Sequence, residues 1–179
     1  FTAPGEHASW GATTGGSAGG HLCSLVALTA NDPAYQAGFE AVDTSVRACV
    51  PFYGIYDFTN QYGLQANSIG PFTARVVIKK KFAQDPEAFR RASPLHCLRS
   101  DAPPFFVIHG SHDSLASVEE ARHFASALAR VSKAPVAYAE IPGAQHAFEV
   151  FHSLRTAHVV DAVDRFLAWV WSEHLRASG

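Results

Sequence analysis

The sequence predicts one α/β domain in which a mostly parallel sheet carries helices on both faces. Its 179 residues are 47% hydrophobic and 17% charged, a balance that closes a core and excludes intrinsic disorder. Short apolar runs alternate with longer amphipathic stretches, as crossovers between parallel strands require. With 14 Lys and Arg against 16 Asp and Glu, the net charge of −2 gives no electrostatic reason to bind nucleic acid.

The first half of the chain holds two strand candidates and one helix. Residues 9–14 form a short strand candidate that runs into a glycine cluster. Residues 21–30 predict a helix, which the Asn-Asp-Pro sequence at 31–33 terminates because proline cannot continue a helix. Residues 46–53 are almost continuously apolar, which is typical of a strand buried on both faces of a sheet.

The second half continues the alternation of strands and helices. Residues 105–109 and 136–141 are apolar runs that predict strands. Between them, residues 118–131 predict an amphipathic helix with Ser117 as its expected N-cap. Residues 153–175 predict the last helix, with its apolar side chains on one face.

A long insert separates the second and third strand candidates. Residues 58–98 are irregular and rich in turn residues, and only 72–82 favour a modest helix. The insert exceeds an ordinary connection, and its apolar and aromatic content suits a lid or cap over a substrate pocket. The three lysines at 79–81 are interpreted as a solvated face.

A motif at the end of the first strand candidate, Gly15-Gly16-Ser17-Ala18-Gly19, matches Gly-x-Ser-x-Gly. It lies where a strand ends and a helix begins, which is the context of a nucleophile elbow. The glycines permit a cramped turn, and the free N–H groups of the helix N-terminus, that of Ala18 first, would lie near an oxyanion. A glycine-rich turn that cradles phosphate is the other interpretation, but the lysine of a P-loop is absent.

A serine hydroxyl needs a base, and His146 is the histidine best placed to serve. It lies in a loop after the last strand candidate, at the carboxyl edge of the sheet where the elbow also opens. Asp113 follows the strand at 105–109 and reaches the same edge, where it could orient the imidazole. Without Ser17, His146 would be interpreted as a surface loop residue.

Other residues are weaker candidates for the acid and the base. Asp57 follows a strand candidate but suits a turn, and Glu140 lies within a strand. Glu149 is expected to start a helix, where its charge suits the dipole. His21 is expected to cap or pack rather than act as a second base.

The sequence predicts neither a metal site nor a cofactor. His109, His112 and Asp113 could be imagined as metal ligands, but no further ligand at helical spacing completes a site. The three cysteines lie far apart without a Cys-x-x-Cys pair, which argues against disulfides and zinc.

Four segments together resemble the α/β-hydrolase superfamily. They are Gly-Gly-Ser-Ala-Gly-Gly-His-Leu at 15–22, Tyr-Gly-x-Tyr-Asp at 53–57, His-Gly-x-x-Asp-x-Leu at 109–115 and Gly-x-x-His-x-Phe at 143–148. The order Ser, Asp, His along the chain is also the order of that superfamily. Within it, the sequence is most similar to hormone-sensitive-lipase-like esterases of actinobacteria, and the resemblance covers nearly the whole chain.

The resemblance implies ester hydrolysis through an acyl-enzyme, with a small-molecule or lipid ester as substrate. It implies Ser17 as nucleophile, Asp113 as acid and His146 as base. Around them we expect elbow glycines, an oxyanion donor and pocket residues, namely Gly15, Gly16, Gly19, Ala18, Tyr56, Leu115 and Phe148. Two positions depart from the family pattern: Gly16 stands where Asp or Thr is usual, and Ser114 where Pro is usual. These departures blur the subfamily and the acyl preference.

The resemblance also implies that residues 1–179 are the C-terminal part of a single α/β-hydrolase domain. Only 16 residues precede Ser17, and no His-Gly-Gly-Gly loop is present to add oxyanion donors. We expect the first strand to be open on one side, with an upstream half or a complementary chain as partner; a homodimer remains open. The expected location is the cytoplasm or the cell envelope.

Two other functions remain open at this point. The same fold could carry an amide or formamide hydrolase or a peptidase, because a fold does not select the bond that is cleaved. A non-catalytic remnant or binding module is the second alternative, although an intact triad argues against it.

Overall fold

A computed structural model describes residues 10–65 and 69–178 of the chain. Within this part, four parallel strands form one sheet in the order β1-β2-β3-β4. The strands are β1 (Ala12–Gly16), β2 (Ala48–Phe52), β3 (Phe105–Gly110) and β4 (Val136–Ile141). The parallel sheet confirms the predicted fold class and places β1 at an edge among the described strands.

Five α-helices occur in the same part of the chain. They are α1 (Ala18–Leu28), α2 (Ile69–Phe72), α3 (Pro86–Arg91), α4 (Val118–Val131) and α5 (Leu154–Ser178). Helix α2 runs on as a π-helical segment, Thr73–Ile78, and short 3₁₀ turns occupy Pro33–Tyr35, Pro94–His96 and Phe148–Val150. None of the helices described is both long and apolar enough to cross a membrane.

Helices cover both faces of the sheet because successive strand residues point to opposite sides. Cys49 of β2 joins a core cluster with Leu28 of α1 and Phe124 of α4. Its neighbour Val50 points the other way and packs in a second cluster with Val159 of α5. The two clusters confirm the predicted helices on both faces.

The glycine-rich junction before α1 differs from the prediction. Gly15 and Gly16 belong to β1, whereas the predicted strand covers 9–14, whose first residue lies outside the described part. Both glycines pair in register with the end of β2. Pairing with a neighbouring strand therefore overrides the weak strand propensity of glycine.

Helix α1 begins at Ala18, three residues before the predicted start at 21, and ends at Leu28, two residues before the predicted end at 30. Its first turn packs directly on β2, since a Cβ on Gly20 would lie 2.5 Å from the carbonyl oxygen of Phe52. Glycine is a poor helix former, but here it permits a close helix-to-strand approach. Tertiary contact rather than local propensity thus places the start of α1 directly after Ser17.

Two predictions about helix starts have different outcomes. Ser117 is the N-cap residue of α4, as predicted, and the bounds of the helix agree, although the Ser117 side chain makes no capping hydrogen bond. The helix start expected at Glu149 is a short 3₁₀ turn, Phe148–Val150, and the last α-helix begins at Leu154. The carboxylate of Glu149 accepts a hydrogen bond from the hydroxyl of Tyr53.

The insert over 58–98 contains short helical segments rather than one helix over 72–82. Helix α2 continues into the π-helical segment, which ends at Ile78, and the next residue, Lys79, has a left-handed φ of 58°. Helix α3 begins after Asp85, whose side chain accepts from the N–H of Ala88 at 3.0 Å. The first part of the insert forms one wall of a cavity beside Ser17.

Candidate active site

Ser17 stands at the turn between β1 and α1 in a strained backbone conformation. Its φ of 56° and ψ of −117° are uncommon for a residue with a side chain, and such strain accompanies a nucleophile elbow. The N–H of Ser17 donates to the carbonyl of Phe52 at 3.0 Å, which fixes the turn to β2. Gly15 suits the turn because a Cβ there would lie 2.6 Å from the backbone of Gly19.

Asp113 lies in the loop after β3, and its side chain is fully buried. Oδ1 accepts hydrogen bonds from the N–H groups of Leu115 at 2.9 Å and Ala116 at 2.8 Å. Oδ2 lies 3.4 Å from Nε2 of His109, a buried residue of β3 that also donates to the carbonyl of Ala116 at 3.0 Å. These contacts hold the carboxylate in one orientation.

The loop after β4 carries His146 back across the sheet edge. Left-handed backbone at Gly143, with φ 65°, and at Ala147, with φ 57°, makes the turns on either side of the histidine. The N–H of His112 donates to the carbonyl of Ala144 at 3.0 Å. The loop of the acid and the loop of the histidine are therefore tied together.

The three side chains predicted to converge lie within hydrogen-bonding distance. Nδ1 of His146 is 2.7 Å from Oδ2 of Asp113, and Nε2 is 2.9 Å from Oγ of Ser17. Because a carboxylate can only accept, Nδ1 carries the ring proton and Nε2 accepts from the serine hydroxyl. Side chains from the ends of three parallel strands thus form one chain of hydrogen bonds, which we call the relay.

The surroundings of Asp113 keep it ionised. Burial raises the pKa of Asp113, but hydrogen bonds from His109, His146 and the N–H groups of Ala116 and Leu115 outweigh burial. The pKa of this carboxyl therefore lies well below its ordinary value. A carboxylate that stays charged can hold the ring tautomer of His146 and stabilise an imidazolium.

An apolar cavity of about 470 Å³ opens beside Ser17, within the range of small-ligand sites. Its walls come from α1, the turn after β2, α2 with its π-helical continuation, and the loop of the acid. The lining residues are Ser17, Ala18, His21, Leu22, Ile55, Phe58, Ile69, Phe72, Thr73, Val77 and Leu115. A larger depression of about 600 Å³, beside Tyr35 and Arg91, contains no relay residue.

Of the three residues predicted to border the pocket, Leu115 lines it and the other two do not. Tyr56 is fully buried in the core, where its ring stacks on that of Phe124 with centroids 4.1 Å apart. Phe148 packs against the cluster on the α5 face, with its ring 6.0 Å from that of Tyr53. Both rings are drawn into packed cores on opposite faces of the sheet and away from the cavity.

His21 packs against the insert, as expected, and lines the cavity. Its ring stacks on Phe58 with centroids 4.6 Å apart, and Nε2 donates to the carbonyl of Ala92 at 2.7 Å. Burial lowers the pKa of His21, although the hydrogen bond to Ala92 acts in the opposite direction. The side chain is therefore a neutral donor that braces α1 against the insert.

Glu120, a buried carboxylate on α4, is a site-supporting residue that sequence patterns did not reveal. Its Oε1 accepts from the N–H groups of Tyr56 and Asp57, the latter at 2.9 Å. These bonds fix the turn that carries Ile55 and Phe58 to the cavity. Burial raises the pKa of Glu120 to about 7, although the two N–H groups oppose the rise. The sequence gives one signal for this supporting role, since Glu120 lies beside the apolar stripe of the amphipathic helix predicted at 118–131.

Glu120→Gln is expected to remove a pH dependence of folding stability. The folded-state pKa of about 7 exceeds the ordinary 4.5, so the folded protein binds more protons and loses stability as pH rises between these values. Glutamine keeps an oxygen for the N–H groups of Tyr56 and Asp57 and carries no charge. Thermal denaturation of the intact protein should show that the variant becomes more stable relative to wild type as the pH rises from 4.5 to about 7.

The exposed neighbour Glu119 provides the control for this experiment. Its exposed carboxylate contacts Arg122 on the surface of α4, so Glu119→Gln should change the free energy of unfolding little. A stability difference between Glu120→Gln and wild type that stays constant with pH would contradict the prediction.

The residues weighed as metal ligands have other roles. His109 contacts Asp113 and the Ala116 carbonyl, and the N–H of His112 ties two loops together. Within residues 10–65 and 69–178, no group of three or more His, Cys, Asp or Glu side chains is placed to hold a metal ion.

Comparison with known proteins decides the family. Residues 8–128, more than half of the chain, match the family model described as BD-FAE. The chain belongs to the BD-FAE family. It is 51% identical over 161 residues to a probable carboxylic ester hydrolase, LipM, and 43% identical over 164 residues to the esterase LipQ, both of Mycobacterium tuberculosis. These matches confirm the resemblance to hormone-sensitive-lipase-like esterases.

The matches cover most of this BD-FAE chain but a minor part of the relatives. They span 90% and 92% of the chain, against 37% of LipM and 39% of LipQ. Among solved structures, the thermophilic esterase Est2 of Thermogutta terrifontis is 24% identical, with a TM-score of 0.69 over 89% of this chain and 54% of that one. At this identity the likeness bears on the fold alone, and it confirms the α/β-hydrolase fold.

Proposed function

We propose that this BD-FAE chain carries the catalytic residues of a serine carboxylesterase or lipase, which cleaves carboxylic esters through an acyl-enzyme. The observation that carries the proposal is the relay from Ser17 through His146 to Asp113, with separations of 2.9 and 2.7 Å. The names of the relatives, carboxylic ester hydrolase and esterase, support esters as substrates. Because the chain spans 37–39% of those relatives, the proposal concerns the intact protein.

Acylation begins with proton transfer inside the relay. Nε2 of His146 takes the hydroxyl proton as Oγ of Ser17 attacks the ester carbonyl carbon. Asp113 stabilises the imidazolium that forms. The tetrahedral intermediate then collapses, the bond to the alcohol oxygen breaks, and the alcohol leaves with the proton from Nε2. The acyl group remains bound to Oγ of Ser17.

Deacylation repeats these steps with water in place of the serine. Nε2 of His146 takes a proton from water as the water oxygen attacks the acyl carbon. Collapse of the second intermediate breaks the bond to Oγ, and the proton on Nε2 returns to Ser17. The carboxylic acid is released and the relay is restored to its starting state.

The N–H of Ala18 is the proposed first donor to the oxyanion. As the first residue of α1, Ala18 has an N–H without an intrahelical acceptor, next to the nucleophile. One oxyanion donor is typically worth roughly a hundredfold to a thousandfold in turnover. We propose that an upstream segment or a complementary chain supplies a further donor.

The apolar cavity beside Ser17 is the proposed site of the acyl group. Residues 58–98 are the proposed lid or cap, since Ile69, Phe72 and Val77 of this insert line the cavity. Apolar walls favour an aliphatic or aromatic acyl chain because its burial removes apolar surface from water.

A panel of p-nitrophenyl esters and p-nitroanilides, assayed with the intact protein, tests the proposed function. We expect turnover of the esters, little turnover of the anilides, and covalent labelling of Ser17 by a fluorophosphonate probe, mapped by mass spectrometry. Anilide turnover exceeding ester turnover would favour the amide hydrolase. A folded protein that neither cleaves esters nor takes the probe would be a non-catalytic relative.

A further inference from the structure

Tyr53 follows β2 in a backbone conformation that few aromatic residues adopt. Its φ of 37° is left-handed, and a bulky residue stays there only where its surroundings hold it. The N–H of Tyr53 donates to the carbonyl of Ile108 on β3 at 2.8 Å. Because the residue is 2% exposed, its ring is enclosed by the neighbouring loops.

The ring of Tyr53 packs against the imidazole of His146, which is the proton acceptor of the relay. Its centroid lies 4.5 Å from that of His146. The imidazole must reach Asp113 through Nδ1 and Ser17 through Nε2 at the same time. A tilt of the imidazole would lengthen at least one of these hydrogen bonds. The Tyr53 ring, on which the imidazole packs, therefore affects proton transfer.

The hydroxyl of Tyr53 connects the elbow to the loop of the histidine. It donates to Oε1 of Glu149, three residues after His146, and the other oxygen of Glu149 is buried without a partner among the described residues. Burial and the neighbouring Glu149 carboxylate raise the pKa of Tyr53, so the phenol keeps its proton. A Cβ on Gly16 would lie 2.6 Å from this hydroxyl, so the hydroxyl occupies the space that a side chain before Ser17 would need.

We propose that Tyr53 and Glu149 are positioning residues that hold the imidazole of His146 at the tilt the relay requires. Glu149 fixes the Tyr53 hydroxyl, and the Tyr53 ring then fixes the imidazole. The role rests on the proposed function, because the relay is the machinery that the pair supports. Neither side chain takes or gives a proton in the reaction.

Tyr53→Phe and Glu149→Leu in the intact protein test the proposal. Phenylalanine keeps the ring without the hydroxyl, and leucine keeps much of the bulk of Glu149 without an acceptor for that hydroxyl. Each should lower kcat for a p-nitrophenyl ester by roughly 10- to 100-fold, with little change in KM, because misplacing a reacting group by about an ångström costs on that order. The kcat of the double variant should be little lower than that of the less active single variant, since both changes remove the same hydrogen bond.

Tyr138→Phe is the matched control. Its hydroxyl donates to Glu140 at 3.0 Å on β4, so the change deletes the same kind of hydrogen bond away from the relay. The control should retain the wild-type kcat. A kcat of both test variants within about twofold of wild type, or a rise in KM alone, would overturn the proposal. Where Tyr53→Phe fails to fold, Glu149→Leu carries the same comparison.

Proton NMR gives a readout that does not depend on turnover. The Nδ1 proton of His146, held against Asp113, should give a far-downfield signal, assigned by its absence in His146→Ala. We expect the signal to broaden through exchange with water in both test variants and to stay sharp in Tyr138→Phe. An unchanged signal overturns the positioning role even in a protein that cleaves no ester, whereas absent turnover with broadened signals overturns the proposed function alone.

Discussion

Ser17→Ala is expected to lower kcat for ester hydrolysis by the intact protein by about a millionfold, the loss typical of removing the nucleophile of a serine hydrolase. Oγ of Ser17 is the atom that bonds to the acyl carbon, and it lies 2.9 Å from Nε2 of His146. A methyl group can neither attack the carbonyl nor donate to the imidazole. The measurement is the initial rate on a p-nitrophenyl ester, with fluorophosphonate labelling of the same samples.

The control for this variant removes a serine hydroxyl outside the site. Ser172 lies on the exposed side of α5 and donates to the carbonyl of Trp169 at 2.8 Å, so Ser172→Ala should retain wild-type turnover and labelling. Binding of substrate should persist in Ser17→Ala because the cavity is unchanged. A Ser17→Ala protein with turnover near wild type would refute the proposed nucleophile.

Asp113→Asn is expected to lower kcat by about ten-thousandfold while leaving the fold intact. Oδ1 of Asp113 accepts from the N–H groups of Leu115 and Ala116, so the amide oxygen of asparagine takes this place. Its NH₂ group then faces His146 where Oδ2 was. A donor at this position forces the ring proton onto Nε2, and the imidazole can no longer accept from Ser17.

Asp101→Asn makes the same chemical change on the surface. The side chain of Asp101 is 66% exposed and pairs with Arg99 at 2.6 Å, so its removal should leave kcat unchanged. Circular dichroism and thermal denaturation would establish that both variants are folded. Retention of most activity in Asp113→Asn would contradict the prediction and direct attention to Glu149 as the acid.

The match between prediction and structure is closest where the pattern is local and repeated. The bounds of α4 agree with the prediction because its apolar residues recur at helical spacing over four turns. The bounds of strand β4, Val136–Ile141, also agree with the predicted 136–141. The common edge of Ser17, Asp113 and His146 followed from one rule, that parallel strands end on the same side of a sheet.

The errors occur where a distant part of the chain determines the outcome. The resemblance places Tyr56 at the pocket, but stacking on Phe124 draws it into the core. The helix expected at Glu149 is only a 3₁₀ turn, and the partner of its carboxylate, Tyr53, lies 96 positions away. Glu120 likewise holds backbone 63 and 64 positions away. Sequence patterns of short range carry no record of such pairs.

The sequence by itself determined the layered fold, the family resemblance and the identity of the three side chains that meet at the sheet edge. These follow from apolar periodicity and from residues at the ends of strands, which are properties of short segments. Only the tertiary structure decided why Gly16 precedes the serine, which residues brace His146 and which residues line the cavity. These depend on close packing and on the pairing of buried polar groups, which exist only when segments far apart in the chain are brought into contact.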